Sequence, residues 1–203
     1  MTVVSGPSNA GLVARVQNMI MKPALEWDVI APEPASVAGL FTGYACILAA
    51  IGPIAELIGA LLWHRESATA AVIGAVALYV FSLLGVYVIA LIVDVMAPSF
   101  GGQRSQIQAL KLVVYSSTAR WVAGVFNIVP VLGALIGLIG GIYSLYLLYL
   151  GLPKLMGNPP DKTPIYLVAI IVAAIIVYVV VAVVVGLLVA MLAVGSAAAI
   201  AVH

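Results

Sequence analysis

Five stretches of this chain stay apolar for about 20 residues or more, and that property leaves few folds open. They run from about Ala35 to Trp63, Ala68 to Met96, Gln106 to Val129, Val131 to Leu150, and from Pro164 almost to the end. A helix rises about 1.5 Å per residue, so about 20 apolar residues cross a roughly 30 Å hydrocarbon layer. The last stretch is rich in Val and Ile, which in water would favour strand. In lipid an open strand leaves its backbone groups unsatisfied, so helix is expected there too. Only 7% of the residues are charged, against about 25% in an ordinary soluble domain. A soluble globular protein, a disordered chain and a nucleic-acid binder are thereby excluded. The expected fold is an all-α polytopic integral membrane protein with five transmembrane helices.

Residues 1–34 read differently. They hold Arg15, Lys22, Glu26, Asp28 and Glu33 and no long apolar run of the kind a signal peptide needs, so this segment is expected to stay uncleaved and cytoplasmic. From Ser8 to Lys22, the residues Leu12, Val13, Val16, Met19 and Ile20 share one helical face, with Arg15, Asn18 and Lys22 mostly elsewhere. That pattern predicts a short amphipathic helix, lying in the headgroup layer or packed on the inner ends of the spans. The domain organisation expected is therefore a cytoplasmic segment over 1–34 and a five-helix transmembrane domain over 35–203.

Local signals bound the elements. Gly52-Pro53 interrupts the first stretch, and a split there would make the span count even. Ser105 with Gln108 reads as a capping box, and Thr163-Pro164 as a helix start. Asn127-Ile128-Val129-Pro130 leaves almost no loop between the third and fourth spans, and Asn158-Pro159-Pro160-Asp161 ends the fourth. The fifth stretch exceeds one crossing and is expected to fray near Gly195. With alternating spans, Arg15, Lys22, Arg104, Lys111, Lys154 and Lys162 fall on one side and Arg65 on the other, which predicts N-terminus in and C-terminus out.

Arg120 is the most informative residue. It lies about 14 residues into the third span, near mid-membrane, where a charge costs several kcal/mol and needs a partner. Ser116, Arg120, Gly124 and Asn127 share one helical face. Depth favours Glu56 as the acid that pairs with Arg120, and places Asp94 at the inner interface near Arg104 and Lys111. Glu56, Ser116, Arg120 and Asn127 form the candidate intramembrane polar site, read as a structural bridge or as a gate. Gly133, Gly137 and Gly141, spaced by four, are the candidate helix-packing positions, and Tyr143, Tyr146 and Tyr149 fit an interfacial aromatic belt. Arg104, Lys111, Lys154 and Lys162 are the candidate lipid-headgroup contacts. Gly101-Gly102-Gln103-Arg104-Ser105 could cradle a phosphate but lacks the Walker spacing, so a turn is the simpler reading.

Catalytic signals are missing. The histidines are His64 and His203, no HExxH or GxSxG occurs, and the single Cys46 makes no intrachain disulfide. No catalytic residue, metal or cofactor is expected.

Several stretches together resemble the prokaryotic branch of the Yip family, which carries the Ypt-interacting-protein domain. They are Lys22 to Ile30, Asp94 to Gly102, Ala109-Leu110-Lys111 leading to Tyr115-Ser116-Ser117-Thr118, Pro130 with Gly133, and Tyr143 to Leu152. The resemblance implies five spans with a cytosolic N-terminus. It also implies a non-catalytic role, since eukaryotic members act in membrane trafficking, associate with one another and with prenylated small GTPases, and influence membrane shape. The first 34 residues lack the longer cytosolic region of those members with its Asp-Leu-Tyr-Gly-Pro-type motif, so small-GTPase binding is not expected. Where the family often has proline after the Tyr-Ser-x-Thr stretch, this chain has Ala119, and no proline kink is expected. The function expected is a membrane-organising or interaction protein of a prokaryotic cytoplasmic membrane, its partners being lipids, itself or other membrane proteins. The alternative is a small ion or solute channel or transporter with its site around Arg120.

Overall fold

The computed structural model describes residues 11–63, 68–180 and 183; Ser8, His64, Arg65, Gly195 and His203, which carried some of the expectations above, lie outside them. Helix α1 (Leu12–Met21) turns at Lys22 into α2 (Pro23–Ile30), with Pro23 at the first helical position, where no N–H is needed. The short amphipathic helix is present, but its inward stripe is rotated from the expected one. Arg15 and Met19 are buried, while Val13 and Met21 are exposed.

Among the described residues, four helices are long and apolar enough to cross a membrane. They are α3 (Val37–Leu62), α4 (Ala68–Met96, continued by a 3₁₀ turn to Phe100), α7 (Pro130–Met156) and α8 (residues 163–180). No strand occurs among these residues, so the all-α membrane fold holds. Proline does not split α3. The helix carries a π-turn at Phe41–Ala45 and a jog at Ala50, then restarts at Ile51. Pro53 thus falls in a first turn, where its missing N–H costs no helical hydrogen bond.

The third stretch is not one continuous helix. It forms α5 (Gln106–Ser116), α6 (Thr118–Ala123) and a 3₁₀ turn (Gly124–Ile128). Ser117 Oγ donates to the carbonyl of Val113 at 2.8 Å and Thr118 Oγ1 to that of Tyr115 at 2.6 Å. Hydroxyls that bond back to the preceding turn compete with the backbone ladder and bend helices. The break therefore occurs without a proline.

Two more boundaries differ from expectation. The capping box is absent: Ser105 makes no side-chain cap, and the Gln108 side chain turns to the carbonyl of Ala31, to which its Nε2 donates at 3.0 Å. Helix α7 runs past Leu150 and Pro153 to Met156, ending at Gly157 in the left-handed region (φ 67°), with Pro159-Pro160 following. Thr163 Oγ1 turns back to the carbonyl of Pro159 at 3.3 Å and accepts from Asn158 at 2.8 Å.

Close backbone approach holds the membrane segments together. A Cβ on Gly124 would lie 2.8 Å from the Gly52 Cα, and one on Gly59 2.6 Å from the carbonyl oxygen of Ile128. The first helix and the end of the third stretch thus run alongside each other in the same direction. Small residues permit such contacts where lipid removes the hydrophobic drive between helices.

Candidate functional site

The polar side chains gather at the end of the bundle where α1 and α2 lie. Trp27 is fully buried there, and its indole N–H donates to the carbonyl of Leu147 in α7 at 3.1 Å. Gly151 makes room for it, since a Cβ at that position would lie 2.8 Å from the Trp27 ring. Tyr143 Oη donates to the carbonyl of Ile20 at 2.6 Å. These contacts hold the N-terminal segment against the bundle and bring its charges into it.

Arg15 is the centre of that charge cluster. It is 5% exposed, and its Nη1 meets Glu26 Oε1 at 2.5 Å. Its Nη2 meets Glu33 Oε1 at 2.6 Å and Oε2 at 2.7 Å. The guanidinium also lies 5.6 Å from the centroid of the Tyr115 ring, within cation–π range. Burial works against its charge, but the hydrogen bond to Glu33 and the charges of Glu33 and Glu26 outweigh it, so its pKa moves up. Lys111, 2% exposed, donates from Nζ to the carbonyls of Ala31 at 3.0 Å and Glu33 at 2.8 Å. Tyr44 Oη and Thr118 Oγ1 are hydrogen-bonded at 2.8 Å beside this cluster. Beneath it opens a cleft of about 430 Å³, lined by residues that include Arg15, Glu33, Ser36, Gly43 and Tyr115.

The residues singled out from the sequence fall into separate places. Lys111 does not face headgroups, because it is spent on the loop before α3. Asp94, expected near Arg104 and Lys111, forms an ion pair with Arg104 at 3.0 Å. Lys154 meets Asp28 in an exposed pair, and Lys162 is exposed. Of the spaced glycines, Gly133 is in tight contact, with a Cβ there 2.7 Å from Asn127 Cα. Gly137 has nothing within 4 Å, and Gly141 meets only Arg120 Nη1, at 3.9 Å. The close approach to α6 uses Gly140 instead, where a Cβ would lie 2.6 Å from that of Ala123.

The Glu56, Ser116, Arg120 and Asn127 strip is divided by the break at Ser117. Ser116 is buried, Asn127 half-buried against Gly133 and Gly52, and Arg120 exposed. No ion pair joins Arg120 to Glu56, and the register explains why. Gly124 touches Gly52, so Arg120, four residues earlier on a parallel path, sits level with about Leu48. Glu56 lies about eight residues further along, or about 12 Å.

The sequence does not single out the Arg15 cluster, because a lone charge reads as part of the polar side of an amphipathic helix. A signal existed: Arg15 falls between Leu12, Val16 and Met19 at helical spacing, inside the apolar stripe. Among the described residues, no group of three or more His, Cys, Asp or Glu could hold a metal ion.

The sequence profile of the Yip1 domain matches residues 18–183, most of the chain and nearly all of the region just described. The chain belongs to the Yip1-domain family. No curated protein and no solved structure matches it. Membership makes it a multi-pass membrane protein of a family not known for enzymes. In this Yip1-domain protein the matched region includes Glu26, Glu33 and Lys111, together with Arg120.

Proposed function

We propose that this Yip1-domain protein is a non-catalytic membrane-organising protein that works by lateral contact with other membrane proteins or with copies of itself. The observation that carries this reading is the exposure of Arg120. Its neighbour Gly141 lies about 16 Å along α7 from Pro130, in a helix about 40 Å long, so the guanidinium emerges near mid-membrane. A charge at that depth costs at least several kcal/mol in lipid. The open position at Gly137 beside it would let another backbone approach. A partner that brings a carboxylate or carbonyl to this face lowers the cost of keeping Arg120 there.

In this reading all five apolar stretches cross a prokaryotic cytoplasmic membrane, the third as a broken helix. Residues 1–34 lie on the cytoplasmic side. Arg104, Lys154 and Lys162 meet the headgroups of the same face.

The test is cysteine cross-linking of Gly137→Cys in native membranes, with Arg120→Ala as the disrupting variant. Cross-linked species at Gly137 that disappear with Arg120→Ala support lateral contact. Solute or ion flux in proteoliposomes that is lost with Arg120→Ala would replace this reading with the transport one.

A further inference from the structure

The cleft beneath α1 has two unlike ends. Pro34, Ala35 and Ser36 rim it at the start of α3, next to Arg15, Glu33 and Tyr115. Its other end runs down α3 past Gly39 and Leu40 to Gly43, about 9 Å further along the helix. Gly43 has nothing within 4 Å of where a Cβ would stand, so the lower end is open. A cleft that is polar where the membrane helix begins and apolar one to two turns deeper fits an amphiphile, not a water-soluble ligand.

The groups at the polar end differ in the bonding capacity they have left. The terminal guanidinium nitrogens of Arg15 are engaged by Glu26 and Glu33, and the ammonium of Lys111 by two carbonyls. One N–H of Lys111 and two of Arg15 stay uncommitted, but the two positive charges are balanced by the carboxylates of Glu26 and Glu33, so the cluster offers an anionic headgroup no net attraction. The Glu33 carboxylate accepts two hydrogen bonds where it has about four acceptor positions, and its side chain keeps 13% of its surface exposed. Ser36 Oγ accepts from the Gly39 N–H at 3.0 Å, which leaves its own proton free to donate.

We propose that the cleft binds an aminophospholipid of the ethanolamine type. Its ammonium donates to Glu33, its phosphate accepts from the hydroxyls of Ser36 and Tyr115, and an acyl chain lies along the groove at Gly39 and Gly43. A choline headgroup carries no N–H and cannot make the first contact. The site is separate from the Arg120 face, so either proposal can fail alone.

Native mass spectrometry of the full chain, offered equal amounts of phosphatidylethanolamine, phosphatidylcholine and phosphatidylglycerol with the same acyl chains, tests it. Retention of phosphatidylethanolamine about tenfold over phosphatidylcholine is expected for one charge-assisted hydrogen bond. Gly43→Leu fills the groove without touching a charge and should abolish retention while the thermal unfolding midpoint stays put. Glu33→Gln should erase the headgroup preference; if that variant does not fold, Gly43→Leu decides alone. Equal retention of the three lipids, a preference for phosphatidylglycerol, or undiminished retention by Gly43→Leu would overturn the proposal.

Discussion

Two arginines of this chain meet opposite fates. Arg15, in an amphipathic segment outside the apolar stretches, is buried and shares its charge with two carboxylates. Arg120, in a stretch that reads as membrane span, is exposed and has no carboxylate partner among the described residues. One charge is settled inside the fold and the other is left to the surroundings. Burial of a charge therefore follows tertiary partners, not the hydropathy of the local sequence.

The largest expected effect comes from taking the Arg15 cluster apart. Arg15→Ala leaves Glu26 buried without its cation and should lower stability by about 3–5 kcal/mol, read from thermal unfolding in detergent. Arg120→Ala should leave the isolated chain within about 0.5 kcal/mol of the parent, as a surface change does. Equal losses for the two would break the contrast.

Next comes the glycine pair on α7. Gly140→Leu meets Ala123 and the Ala119 carbonyl and should cost about 1–3 kcal/mol by overpacking, whereas Gly137→Leu should cost the isolated chain almost nothing. Tyr44→Phe removes the hydrogen bond to Thr118 beside the buried cluster and should cost about 1 kcal/mol in the same measurement. The smallest effect belongs to Asp28→Asn, which breaks an exposed pair with Lys154 and should change stability by less than about 1 kcal/mol.

Long-range composition made the membrane helices legible. Apolar runs over Ala35–Trp63 and Ala68–Met96 became α3 and α4 almost to the residue, because lipid leaves a chain of that hydropathy one way to satisfy its backbone. What could not be read was competition for hydrogen bonds. Gln108 could accept the Ser105 N–H through Oε1 or donate through Nε2 to the carbonyl of Ala31, and only the packed chain brings that carbonyl near. The hydroxyls of Ser117 and Thr118 decide where the third stretch breaks, yet nothing in their spacing says they turn back to the backbone. Glu56 and Arg120 match in depth only when each is measured from its own span's end; the two paths are out of register. The contact of Gly52 with Gly124 sets the offset between the two paths. Arg15 was the site residue within reach, its position in the stripe outweighing its charge.

The interruption at Ser117 bears on how the chain enters its membrane. Each half of the third stretch is short, and each carries one cation, Lys111 or Arg120. A lysine or arginine at the centre of a helix costs about 2.5–3.5 kcal/mol during insertion, which few apolar residues on a half-helix can offset. Neither half partitions well alone. The tight turn from Asn127 to Pro130 ties them to α7, a long apolar helix without a charge before Lys154. With the third stretch crossing as proposed above, the hairpin rather than the single helix is the unit that enters the membrane, α7 carrying its charged neighbour in.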